Sequence, residues 1–274
     1  YKKQGQDPNE KKMTKPSITP IVMNRDVTSD FLSEIQNSNV KPIEPVFLDF
    51  KKDLSQLKAK SNIPVLYKQN TSNDLFQLIY VFDMGNNNDK VLGTAFDYID
   101  YLGTSDMTPE QLKSAFYLLA CAFRVVPGNE RTYVLLSGLN ENMPEAMKLF
   151  EKLMADAQVN KEAYTNMVAD ILKSRKDAKL NQMQNFRRLM SYGMYGPKSP
   201  ATNILTEAEL QNMDPQELID RIHNQNSYQH RILYYGPTSE KELLAIINKN
   251  HQAPKKLKEI PVGNEFPRLA TPVT

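Results

Sequence analysis

The stretch "VLGTAFDYIDYLGT", Val91 to Thr104, decides the fold of this chain. Val91, Leu92, Ala95, Phe96, Ile99 and Leu102 recur at three- and four-residue steps, the apolar stripe of a buried helix. Gly103 stands where such a helix stops, because glycine accepts the left-handed backbone of a C′ residue without steric cost. Thr94, Asp97, Tyr98 and Tyr101 gather on a second face. The i, i+3, i+4 spacing of the first three aligns side chains as a helix presents metal ligands. None of the three is histidine or glutamate, so a metal site, a site with its ligands replaced and an ordinary amphipathic helix are all open readings.

Upstream, "DLFQLIYVFDMG" alternates Phe76, Leu78, Tyr80, Phe82 and Met84 onto one face, the period of a half-buried strand. "EPVFLDF", "SQLKAK" and "IPVLYKQN" read as shorter strands before it. Downstream, Thr108, Pro109 and Gln111 spell a capping box with proline in the first turn. The helix they open buries Leu112, Ala115, Phe116, Leu119, Ala122 and Phe123. "FRVVPGNERTYVLLSGL" reads as a hairpin, and "NMPEAMKLFEKLMADA" as a helix capped by Asn142. Asn160 opens a long helical region reaching about Met190, and "SYGMYGPKSPATN" interrupts it as a loop. A helix from Asp214, a strand in "YQHRILYYG" and a helix capped near Ser239 complete the order. Strands and helices are segregated, which predicts an α+β fold: a mostly antiparallel sheet with helices on one face.

Residues 1–40 are polar and basic with few large apolar side chains before "PIVM", and read as a linker. Residues 41–252 form the domain, and the proline-interrupted residues 253–274 a tail or connector. A first residue other than Met, with no apolar signal core after it, points to a piece of a longer polypeptide. The 274 residues are 40% hydrophobic and 24% charged, as in a globular protein. No apolar run is long enough for a membrane span. With 34 basic and 32 acidic residues the net charge is only +2, which gives no global field for nucleic acid or anionic lipid.

Few residues are suited to catalysis. Cys121 is the only cysteine, which excludes an intramolecular disulfide and a thiolate zinc cage. It reads as a small buried residue on a helix. His223, His230 and His251 sit in no metal-binding spacing and read as surface or satisfied core residues. Ser137 lacks a nucleophile-elbow context. Lys173, Arg175, Lys176, Lys179, Arg187 and Arg188 cluster in "LKSRKDAKLNQMQNFRRL". A solvated helix face explains them more simply than nucleic-acid binding.

The segment "FDMGNNNDKVLGTAFDYIDYLGTSDMTPEQLKSAF" resembles the insulinase/pitrilysin family of zinc metallopeptidases. There a strand ending near glycine leads into a helix bearing H-x-x-E-H, which ends in an aromatic-Leu/Lys-Gly-Thr. Aligned on Gly103 and Thr104, the ligand positions hold Thr94, Asp97 and Tyr98. The helix matching the one that supplies the family's third ligand carries Glu162 and Asp170. Threonine and tyrosine are poor zinc ligands at neutral pH, so this chain alone is expected to hold no metal and to hydrolyse no peptide.

The resemblance implies the insulinase/mitochondrial processing peptidase-like fold and an inactive domain from the half that lacks zinc. It implies zinc in the partner half of the full-length protein, and a peptide substrate enclosed between the halves. It also implies an arginine and a tyrosine seven residues apart, lent to that zinc site; Arg188 and Tyr195 have this spacing, with Arg187 and Tyr192 as neighbouring alternatives. The plainer reading makes Arg188 a cation near a helix end and Tyr195 a packed loop aromatic. The rival function is a structural or interaction module of the same fold with no part in catalysis.

Overall fold

The computed structural model describes residues 15–20, 27–45 and 47–270. The chain divides into two units after Phe47. In the first, the described residues hold helix α1 (Asp30–Asn37), capped by the Ser29 side chain. Residues 1–14 and 21–26 of the expected linker, most of "PIVM" among them, lie outside the described residues.

The second unit carries the rest. In order it comprises β1 (Ser55–Lys58), β2 (Pro64–Gln69), β3 (Leu75–Phe82), α2 (Leu92–Tyr98), α3 (Pro109–Leu118), β4 (Cys121–Pro127), β5 (Thr132–Leu139) and α4 (Met143–Asp156). After these come α5 (Lys161–Ala178), α6 (Gln182–Tyr195), α7 (Glu207–Asn212), α8 (Gln216–Asn224), β6 (Arg231–Gly236) and α9 (Glu240–Asn250). The strands form one sheet in the order β1-β2-β6-β3-β5-β4. Four of its five pairings are antiparallel, and β2–β6 is parallel. The fold is α+β. Among the described residues no helix is long and apolar enough to cross a membrane.

The core follows the patterns in the sequence. Phe76, Leu78, Tyr80 and Phe82 of β3 are all buried on one face. Helices α2 and α4 pack on the sheet, and α8 and α9 pack on those helices. Leu92, Ala95 and Phe96 seal α2 into this layer. The chain then tightens into a 3-10 turn, Ile99–Tyr101, and ends at Gly103. A Cβ at Gly103 would meet the Met107 carbonyl at 2.2 Å, so close approach of backbone requires glycine there. The Thr108–Gln111 capping box is formed, an arrangement worth roughly 1 kcal/mol.

Three local expectations are corrected. Helix α3 stops at Leu118, because Ala120 takes a positive φ of 47° and turns the chain into β4. Cys121 therefore starts a strand rather than lying on a helix, and Ala122 is exposed. "SYGMY" is helical: α6 runs through Gly193 to Tyr195 and ends at Gly196, whose φ is 73°. One interior glycine costs a helix only about 1 kcal/mol. "EPVFLDF" forms no strand among its described residues, and Phe47, Leu48 and Phe50 are exposed.

Of residues 253–274, expected as a tail, the described 253–270 run along the second unit. Lys258 pairs by backbone with Ser227 and Gln229, Asn264 N–H donates to the Asn87 carbonyl, and Leu269 N–H donates to the Met194 carbonyl. Residues 271–274 lie outside the described residues.

Candidate functional site

Helix α2 presents Thr94, Asp97 and Tyr98 very differently. Thr94 is half-buried and Asp97 is exposed, whereas Tyr98 is fully buried. The Tyr98 hydroxyl donates to the Asn160 carbonyl at 2.6 Å and accepts from the Asn160 N–H at 2.9 Å. Asn160 is the N-cap of α5. The Tyr98 ring also meets Tyr164 edge-on at 5.8 Å. Burial raises the Tyr98 pKa, outweighing the Asn160 backbone bond that lowers it. A phenol so engaged has nothing to offer a cation, and zinc does not fit these residues. Tyr98 instead pins the start of α5 to α2.

That pin has a measurable consequence. Tyr98→Phe removes both bonds and leaves the Asn160 backbone N–H without its acceptor. A loss of about 1–2 kcal/mol is expected in urea unfolding. A change below about 0.5 kcal/mol would mean that water substitutes for the phenol.

Asp97 lines a cleft of about 700 Å³ with Asp100, Arg124, Asp170 and Arg175. Desolvation, and then the Asp100 carboxylate, raises the Asp97 pKa. Asp170 of α5 thus meets Asp97 in one cleft, while Glu162 stays exposed in the first turn of α5. Among the described residues no group of three His, Cys, Asp or Glu is arranged to hold a metal ion.

Arg188 and Tyr195 both lie on α6, a helix with no buried residue. Seven residues carry about 10 Å along a helix and nearly two full turns, yet the two line different cavities. Arg188 lines a large cavity of about 1300 Å³ together with Tyr192. Tyr195 borders a cleft of about 570 Å³ whose other walls include Asp83, Glu130 and Glu265. Asp83 there is bonded by Arg131 at 2.8 Å and by Arg231 at 2.5 Å, and Arg231 foremost lowers its pKa. Arg187 is exposed on α6 beside its neighbour.

The sequence reading left one cluster unassembled. Glu151 of α4 is 1% exposed. Its oxygens accept from His251 Nδ1 at 2.5 Å, Tyr80 OH at 3.1 Å, Asn226 Nδ2 at 2.9 Å and Gln252 N–H at 3.1 Å. His251 Nε2 meets His230 Nε2 at 2.8 Å, and His230 Nδ1 reaches the Tyr228 carbonyl at 2.7 Å. Both histidines are buried and satisfied, whereas His223 is exposed on α8. One signal was available: Glu151 falls on the apolar stripe of α4, four residues after Met147 and eight after Met143.

No family model matches the chain, and no curated protein matches it either. Several solved structures share its fold. The periplasmic protease PqqL from Escherichia coli superposes with a TM-score of 0.69 at 14% identity, over 95% of this chain and 28% of that one. A peptidase M16 inactive domain from Pseudomonas fluorescens gives 0.61 at 14% identity, over 76% of this chain and 54% of that one. The first half of PqqL gives 0.60 at 16% identity, over 80% and 50% respectively. The chain thus spans about half or less of each of these proteins. Its fold is that of the insulinase-like M16 peptidases, a group that includes a domain described as inactive.

Proposed function

We propose that this chain is a non-catalytic domain forming part of the wall around a peptide substrate, and that it lends Arg188 and Tyr195 to a zinc site on another half of the same polypeptide. Residues 1–40 would join it to that half, 41–252 would be the domain, and 253–274 would lead onward. The observation carrying this reading is α2, Leu92–Tyr98, a helix where the resemblance puts the zinc helix, with the Tyr98 hydroxyl bonded to the Asn160 backbone. The description of one similar structure as the first half of a protease supports a partner half.

In such a complex the Arg188 guanidinium would hold a substrate carbonyl through two donors. The Tyr195 phenol would donate to the oxyanion that develops on attack. Closure of one half over the other would bring them to the site. In the full-length peptidase, Arg188→Ala and Tyr195→Phe are each expected to lower kcat/KM by about tenfold to a hundredfold, with folding unchanged. Unchanged kcat/KM would end the transition-state role. A loss with Tyr192→Phe in place of Tyr195→Phe would shift the pair to Arg188 and Tyr192.

One observation favours the rival reading, a structural or interaction module of the same fold. Arg188 and Tyr195 line separate cavities. A full-length sequence without H-x-x-E-H anywhere would decide for that module.

A further inference from the structure

We infer that the large cavity between α5, α6 and the segment before α7 binds acidic polypeptide segments whose carboxylates are interleaved with apolar side chains. Two features of the cavity carry this. Its rim holds five cations, Lys173, Arg175, Lys176, Lys179 and Arg188, against one carboxylate, Glu207. Its walls are apolar, with Leu172, Leu189 and Ile204 among them.

The helices place the cations along the cavity walls, and Arg175 is tied down. Lys173 and Lys176 of α5 and its C-cap Lys179 follow at three-residue steps, so they project from one side of that helix. Arg175 Nη1 donates to the Leu205 carbonyl at 2.7 Å, which ties α5 to the segment forming the far wall. Across the gap, α6 carries Arg188 and keeps Met183, Phe186, Leu189 and Met190 exposed. A solvated cationic face has no need of apolar walls. Leu189 is 66% exposed and Ile204 47%, so water leaves a large apolar area when a ligand enters.

The ligand class follows from size and chemistry. At about 1300 Å³ the cavity exceeds the space a small molecule fills. Single-stranded nucleic acid would exploit stacking on several aromatic rings, and Tyr192 is the one aromatic in the lining. A polypeptide alternating acidic and apolar side chains meets both the rim and the walls at once. This inference deepens the proposed function and rests on it in taking the ligand to be a polypeptide.

The test is fluorescence anisotropy on the full chain with two labelled extended peptides of identical apolar pattern, one carrying glutamates and one lysines. The glutamate peptide is expected to bind at least about tenfold tighter, with affinity falling as salt rises. Lys176→Glu with Lys179→Glu, both exposed positions that leave the core untouched, is expected to weaken it by about tenfold or more. Equal affinity for the two peptides, no binding of either, or tighter binding of a single-stranded oligonucleotide or an anionic vesicle would each overturn the inference. An unchanged kcat/KM for Tyr195→Phe in the full-length peptidase defeats the transition-state role, whereas loss of the glutamate preference defeats only the cavity assignment.

Discussion

Glu151→Ala is expected to destabilise the domain by about 3–5 kcal/mol, the cost of stranding several buried donors that share one acceptor. The variant deletes the acceptor for four donors at once: His251 Nδ1, the Tyr80 hydroxyl, the Asn226 amide and the Gln252 backbone N–H. Tyr80 and Glu151 are buried to within 1%, and Asn226 and His251 are 6% exposed, so water reaches the stranded groups poorly. For a unit of this size the shift in Tm is on the order of 10 °C. Urea unfolding of the two proteins gives the difference directly. Glu151→Gln keeps the shape and one acceptor oxygen and should fall between them. A loss below about 1 kcal/mol for the alanine variant would mean that the cluster rehydrates. The network joins α4, β3, the start of β6 and the end of α9, where residues 253–268 depart along the body. Loosened backbone pairing of Lys258 with Ser227 and Gln229 should therefore accompany the lost stability, and amide exchange reads it.

That network also marks where sequence reading stops. Alternation in β3 and the stripe of α2 identify which faces are buried, because each is a local period fixed by backbone geometry. The Thr108–Gln111 box is equally local, and the structure forms it as spelled. Sheet order is not local. Strand β6 enters from far along the chain and lies between β2 and β3, pairing in parallel with one and antiparallel with the other. No pattern within its six residues states its neighbours, since alternation selects a face and leaves partners open. Glu151, His230 and His251 are likewise brought together by α4, β6 and α9 from separations of 21 to 100 residues. At the helix ends, Ala120 adopts a left-handed turn that glycine usually signals, and Gly193 stays helical where glycine suggests a break. The spacing of Thr94, Asp97 and Tyr98 along α2 was legible. The use made of Tyr98, as a pin on Asn160, required the neighbouring helix to be seen.

Acidification should weaken the domain well before its paired surface carboxylates titrate. Burial, and next the neighbouring His251, lowers the His230 pKa from 6.5 to about 4. The hydrogen bonds show why. The Tyr228 carbonyl can only accept, so His230 Nδ1 carries a proton and the neutral ring turns an acceptor, Nε2, toward His251. Protonating that Nε2 puts a charge on a ring only 6% exposed, which burial disfavours. Above pH 6.5 the ring is neutral in both the folded and unfolded chain, and the stability is intact. Between pH 6.5 and 4 the unfolded chain binds a proton that the folded chain refuses, so stability falls as pH falls. The total loss across that window is on the order of 3 kcal/mol. Asp83 and Glu209, whose pKa values are lowered by Arg231 and Lys90 respectively, add their losses only as pH drops below the ordinary carboxylate range. Urea midpoints taken at intervals from pH 7 to 4 should therefore decline early, and His230→Gln should flatten that early decline while leaving the acid limb in place. A midpoint independent of pH down to about 4.5, or the same slope in the variant, would show that His230 takes its proton in the folded state as readily as in the unfolded one.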